Sequence, residues 1–356
     1  MNQSKLTWKQ RLLYTRTDKA PERGNILAVI NNLVLHIHPS HVPANALRFS
    51  YTFGLGGISA GLFLMLGMTG LLLMFRYDPR VDYAYTSIQA LETQVMFGSL
   101  IRSLHHWSAN LLVITTFLHL LRVAFTASYK QGRAANWLIG LALLLLVLAA
   151  NFTGYLLPWD QLAYWAITVS TNLMAYIPLI GEALGHFLLG GHEVGQTALN
   201  NFYAIHVVTL PMLLVALMGY HFWKIRKNGG ISQPLQRPGP RATTMPNLVS
   251  REFTAAALVF TALVLFAMFV PAPLEGIANP LHSPNPAKAA WYFAGLQDKL
   301  LHMHPLASIG RTGQDLYGVS FLPRSDRREA DYAVDYRSPA SRRTASVCLL
   351  LSLNLV

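Results

Sequence analysis

Two pairs of histidines have the spacing to do chemistry. His105 and His119 stand 14 positions apart in the apolar stretch "SLHHWSANLLVITTFLHLLRV", residues 103–123. At 3.6 residues per turn this is almost four turns, so both lie on one helix face, roughly 21 Å apart along the axis. His106 falls well off that face. His206 and His221 are 15 positions apart in "NNFYAIHVVTLPMLLVALMGYHFW", residues 200–223. That is again about four turns, within about 60° of one face. Imidazole is costly to leave unpaired in hydrocarbon, so a histidine inside a span marks a function. Haem iron takes axial histidines. Two helices that each present one imidazole near each membrane surface are therefore suited to two haems stacked across the bilayer. Four interhelical hydrogen-bonding histidines would leave the matched spacing without a cause.

Glycines repeat the interval. Gly56 and Gly70 are 14 apart, as are Gly140 and Gly154. Glycine admits a large flat group or a second backbone at close range, which would place each of the four at a haem edge. Arg102 and Arg122 flank the histidine-bearing segment and are candidate partners for haem propionates.

These residues need membrane-spanning helices to position them. Of the 356 residues, 53% are hydrophobic and only 12% charged, against about 25% charged in a soluble domain. Five segments reach the ~20 apolar residues that cross a bilayer: about 49–75, 101–125, 136–157, 200–223 and 253–271. The net charge of +12 lies in the connections rather than in one patch, which fits topology control and not nucleic-acid binding. Lys and Arg crowd the N-terminal arm, the second-to-third loop and the fourth-to-fifth loop, while residues 158–199 hold neither. The positive-inside rule then puts the N-terminus in the cytoplasm of an inner, cytoplasmic membrane. His105 and His206 become the outer pair, and His119 and His221 the inner pair. Residues 4–16 mix basic and apolar side chains, as a surface helix or a solvated arm would. The first 25 residues have no apolar h-region, so no cleavable signal peptide is expected. The single cysteine, Cys348, excludes a cysteine-ligated iron–sulfur cluster within this chain.

The stretches "RSLHHWSANLLVITTFLHLLRV", "FTGYLLPWDQLAYWA", "VGQTALNNFYAIHVVTLP" and "GYHFWKIRKNGGIS" resemble the cytochrome b/b6 family, over roughly residues 25–235. The 15-residue histidine interval resembles the b6-type branch, since the mitochondrial branch uses 14. The resemblance implies an all-α integral membrane protein: a four-helix haem-binding bundle of the cytochrome b N-terminal type plus at least one further transmembrane helix. Its segments would be an arm over 1–48, a di-haem domain over 49–230, the beginning of the family's C-terminal half over 231–305, and an atypical polar tail over 306–356. In b6-type complexes that C-terminal half is a separate subunit; here its beginning is fused.

The resemblance also implies a role. Such subunits belong to quinol:electron-acceptor (bc-type) complexes, contribute to a proton gradient and are not active alone. The implied partners are a Rieske iron–sulfur protein, a c-type cytochrome or other acceptor subunit, membrane lipid and a second complex in a homodimer. The implied cofactors are two non-covalent b-type haems, with quinol and quinone as substrates. The outer quinol pocket would join Tyr155, Pro158 and Trp159 to Tyr292 of "AAWY", residues 289–292. The family's motif glutamate is Ala290 here, which makes Asp298 a candidate substitute as general base. The inner quinone site would draw on Arg226, Lys227, His36, His38 and His41. The b6-type cysteine for a covalent third haem is Gly54, so no c-type haem is expected. A polar, Arg-rich 310–345 replaces further spans and reads as a disordered extension or a frameshift. The competing assignments are a di-haem membrane anchor of a quinone-linked dehydrogenase or reductase, and a haem-free structural or transport protein.

Overall fold

The computed structural model describes residues 37–320 apart from 131, 233–238 and 286–287. The surface helix expected over 4–16, His36 and residues beyond 320 lie outside the described residues. Among the described residues, five helices have the length and hydropathy to cross a membrane: α1 (Leu55–Met74), α3 (Gly98–Phe125), α4 (Ala134–Tyr155), α7 (Gln196–Lys227) and α8 (Asn247–Phe269). Three shorter helices lie in the connections: α2 (Val81–Gln94), α5 (Gln161–Met174) and α6 (Gly181–Leu189). After α8 come α9 (Ala294–His302) and α10 (Pro305–Ser320), so helix extends into the segment read as a polar tail.

A helix pairs its interior backbone groups within the segment, which is what a spanning segment requires. The first span begins later than its hydropathy suggests. Phe53 and Gly54 are both left-handed, with φ of 50° and 64°, and a left-handed pair cannot continue an α-helix. The turn Phe49–Thr52 is thereby set apart from α1.

α1 packs along α3 and α4 along α7, while α8 lies against α1 and α3. Leu62, Met65, Leu104, Leu112, Val113, Val147, Leu214, Leu263 and Ala267 form the buried centre of this bundle. Leu64 and Met68 on α1, Met212 on α7 and Leu258 and Leu265 on α8 stay exposed, as lipid-facing side chains must.

The two ends are closed differently. At one end α2, α5 and α6 pack over Leu156, Trp159 and Phe202. At the other, strands β1 (His41–Pro43) and β2 (Arg241–Thr243) pair antiparallel, over a small core of Val42, Leu47 and Leu248.

Candidate functional site

Alternation of direction along α1, α3, α4 and α7 sets each histidine against a glycine of a neighbouring helix. A Cβ added at Gly70 would lie 3.2 Å from His105 Cε1, and one at Gly56 would lie 3.3 Å from His119 Cε1. The corresponding distances are 2.6 Å from Gly154 to His206 and 3.8 Å from Gly140 to His221. The missing side chains thus make room for the imidazoles themselves. The rings of His105 and His206 face each other with centroids 6.3 Å apart. A metal held by two imidazoles at about 2 Å on each side needs a gap of this size. His119 and His221 interact electrostatically with each other at the opposite end.

The 15-residue interval on α7 has a local explanation. Ile205–Thr209 is a π-helical turn, closed by Leu210 N–H on the Ile205 carbonyl. Pro211 has no N–H to give the Val207 carbonyl. The wider turn absorbs one residue, which removes most of the angular offset read from the sequence.

Hydrogen bonds orient His105 and His206, the pair called outer from the distribution of basic loops. His105 Nδ1 lies 2.9 Å from Thr69 Oγ1, and His206 Nδ1 lies 3.1 Å from Thr153 Oγ1. Sequence reasoning missed both threonines. The signal available was a Thr-Gly pair within each of two apolar spans, at 69–70 and 153–154. His106 turns elsewhere: its ring sits edge-on to Trp107 at 4.8 Å, and Asn110 Nδ2 lies 3.3 Å from its Nε2.

The arginines are engaged by protein groups. Arg102 is buried, pairs with Glu92 and donates to the carbonyls of Ala272 (2.9 Å) and Pro273 (2.6 Å). Arg122 donates to the Tyr51 carbonyl at 2.8 Å, with its guanidinium 4.4 Å from that ring's centroid. Arg226 lies in the last turn of α7 with Lys224 and Lys227.

Above the outer pair the chain folds back on itself. Trp159 is left-handed with φ 53° and buried. Asp160 follows it as the N-cap of α5, accepting from Ala163 N–H at 2.9 Å. Its other oxygen accepts from Glu275 N–H at 3.1 Å. Gln161 N–H donates to the Gly276 carbonyl at 2.8 Å, and its side-chain oxygen accepts from Asn279 N–H at 2.6 Å. Its side-chain amide donates to the His282 carbonyl. Burial raises the Asp160 carboxyl above the usual range; the two N–H donors partly offset this, and the Glu275 carboxylate adds to the rise. Tyr155 senses the charges of Asp160 and Glu275, and Tyr292 neighbours Tyr155. Burial pushes the Tyr292 phenol up, so it stays protonated at neutral pH. Pro158 is half-buried in the same turn. Trp291, exposed, donates from its indole to Asn110 Oδ1 at 2.6 Å.

Asp298 is not brought to this cluster. Its side chain is 74% exposed on α9, 3.8 Å from His302. At the inner end His41 is exposed beside Ser40, whereas His38 Nε2 lies 3.4 Å from the Glu252 carboxylate. The Glu252 side chain packs against Gly57, one residue from Gly56. Sequence reasoning overlooked Glu252, which sits in a charged pair, Arg251–Glu252, ahead of an apolar run.

A helical membrane bundle with paired imidazoles, each backed by a glycine, defines a haem-binding transmembrane protein of the four-helix type. The profile of the cytochrome b/b6/petB family matches residues 41–229, and the chain belongs to that family. Cytochrome b6 of Heliobacterium mobile is 42% identical over 198 residues, 56% of this chain and 91% of that protein. Cytochrome b6 of Synechococcus sp. (strain RCC307) is 41% identical over 206 residues, 58% of this chain and 93% of its own length. A chain of a hyperthermophilic respiratory Complex III shares the fold at a TM-score of 0.74 and 24% identity, covering 85% of this chain and 82% of that one. The fold likeness thus reaches further along the chain than the cytochrome b6 matches do. The protein is a multi-pass cytochrome b subunit of a quinol-oxidising, bc-type complex: an oxidoreductase component that binds b-type haem and works within a multi-subunit assembly.

Proposed function

We propose that this subunit holds two b haems, one between His105 and His206 and one between His119 and His221. The observation that carries the reading is the one-to-one match of four glycines to four imidazoles. When bound, the haems supply one-electron transfer from an outer quinol pocket toward the inner face, the second quinol electron leaving to a Rieske iron–sulfur partner and on to a c-type cytochrome or other acceptor. The donor chemistry fits: neutral imidazoles, with Nδ1 of the outer pair occupied by threonine, leave Nε2 for iron.

The remaining steps fall to the chain's own residues. Tyr292 and Tyr155 orient quinol by hydrogen bonding over the buried Leu156 and Trp159. With Ala290 where the family carries glutamate, the proton acceptor is the carboxylate cluster of Asp160 and Glu275 rather than Asp298. Glu275 is exposed, so a proton passed to it is released on the outer side. Arg102 holds the carbonyls of Ala272 and Pro273 and fixes the loop that carries Glu275, rather than serving propionates. At the inner face, the His38–Glu252 pair with Arg226 and Lys227 supplies protons for quinone reduction. The basic connections place that face, and the N-terminus, in the cytoplasm. Residues 49–230 form the haem domain and 231–305 the fused start of the second half. A one-face di-haem anchor leaves the Asp160–Gln161 junction with residues 275–282 without a task.

The test is a reduced-minus-oxidised spectrum of the purified membrane complex with haem counted per chain. Two b haems are expected, the outer lost in His206→Ala and the inner in His221→Ala. A preparation without haem refutes the reading. Quinol oxidation with the Rieske partner should fall in Glu275→Gln but hold in Asp298→Asn; the reverse pattern would restore Asp298 as acceptor.

A further inference from the structure

The four imidazoles are alike in their glycine neighbours and unlike in their hydrogen bonds. Thr69 donates its hydroxyl proton to the Met65 carbonyl at 2.8 Å, and Thr153 donates to the Ala149 carbonyl at 2.9 Å. A hydroxyl has one proton, so each oxygen meets the neighbouring imidazole with a lone pair. His105 and His206 must therefore be the donors, each with hydrogen on Nδ1, shared between the threonine oxygen and a backbone carbonyl, Leu66 for His105 and Ala150 for His206. Both outer rings are locked in the tautomer that leaves Nε2 for a metal.

The same positions at the inner level carry no such group. Fourteen residues before Thr69 and Thr153 stand Leu55 and Ile139, each directly ahead of its glycine. Neither side chain accepts a hydrogen bond. Among the described residues, His221 Nδ1 is buried without a hydrogen-bond partner.

We propose that Thr69 and Thr153 are positioning residues that differentiate the two haems, a deepening that rests on the two-haem reading above. An acceptor on Nδ1–H raises the basicity of the ligand nitrogen, and hydrogen bonding to the axial ligands is one of the means by which a protein sets haem potential. The more basic outer ligands favour the ferric state and lower the outer midpoint. The inner site, with an orphaned Nδ1 on His221, lies higher. Electron flow from outer to inner is thereby downhill, through two hydroxyl groups rather than through any change of ligand.

The experiment is a redox titration of the full haem-loaded complex, followed optically and by electron paramagnetic resonance. Thr69→Val and Thr153→Val should raise the outer midpoint by up to about 59 mV each, a tenfold change in the one-electron equilibrium, and leave the inner midpoint in place. Thr69→Ser and Thr153→Ser should restore the parental value. Ile139→Thr should do the converse and lower the inner midpoint, by giving His221 the partner that Thr153 gives His206. The haem count of the unmodified protein tests the two-haem reading separately. With two haems present, an outer midpoint unmoved in the double valine variant overturns the proposal. Should valine cost the outer haem altogether, Ile139→Thr decides: an unmoved inner midpoint overturns it equally.

Discussion

At the outer end of the bundle two imidazoles face each other across 6.3 Å, each beside a threonine, beneath α2, α5, α6 and residues 271–285. At the inner end His119 and His221 meet Gly56 and Gly140, His221 lacks an Nδ1 partner, and β1–β2 and the His38–Glu252 pair close the bundle. The helical frame is the same at both ends, because a 14-residue shift along α1, α3 and α4 reproduces it. What differs is the residue before each glycine and the polypeptide laid over the end. Shared geometry provides two equivalent cradles, and a few side chains make them inequivalent. The two ends should therefore be separable by small changes.

The largest effect should come from register. Deleting Leu112 from the uninterrupted α3 turns His105 by about 100° relative to His119 and should halve the haem per chain. Deleting Val208 from the π-turn of α7 should keep both haems, since it returns that segment to α-helix. Equal losses from the two deletions would refute the assignment of the extra residue to the π-turn.

Next in size are the glycines. Gly154→Ala drives a methyl to 2.6 Å from His206, whereas Gly140→Ala leaves 3.8 Å to His221. A core contact under 3 Å forces a shift that costs about 1–3 kcal/mol. The outer haem should be lost or weakly held in the first variant and intact in the second, as read from the visible spectrum.

Asp160→Asn tests the covering segment. Losing charge-assisted bonds of about 1.5–3 kcal/mol should lower quinol oxidation about tenfold while the inner haem keeps its midpoint. A pH signature accompanies it. Because burial raises this carboxyl, the folded state holds the proton to higher pH than the unfolded chain does. Stability is then greatest below the unfolded carboxylate value and declines as pH rises through the raised folded value. Melting curves across that range should show the decline in the parent and lose it in Asp160→Asn.

The smallest effect belongs to the inner end. Glu252→Gln should slow inner quinone reduction a few-fold and leave outer oxidation unchanged; transient haem reduction kinetics with an outer-site inhibitor would separate the two.

Much of this was legible in the sequence, for physical reasons. Apolar runs long enough to span are dictated by bilayer thickness, so five helices and their alternation followed from hydropathy and basic loops. The common face of His105 and His119, and the matching interval of the four glycines packed against the imidazoles, followed from helical periodicity, which is strict along α3. Periodicity failed where the backbone departs from it. The left-handed Phe53–Gly54 pair moved the start of α1, and the π-turn before Pro211 absorbed the residue that had read as a 60° offset. Side-chain partners were harder. Arg102 reads as a cation beside a haem, yet a buried guanidinium takes the nearest carboxylate and carbonyls, and these come from Glu92, Ala272 and Pro273. Asp298 reads as near Tyr292 because it lies six positions further on, but α9 carries it to the exposed side. Asp160 and Glu275, more than a hundred positions apart, meet only through the fold.

The junction between Asp160–Gln161 and residues 275–282 also bears on assembly. Here Asp160–Gln161 and residues 275–282 belong to one chain, so their docking is a ring closure whose entropic cost grows only with the logarithm of the length of the tether between them. The tether fixes an effective local concentration, and closure of the outer pocket becomes independent of how dilute the protein is in its membrane.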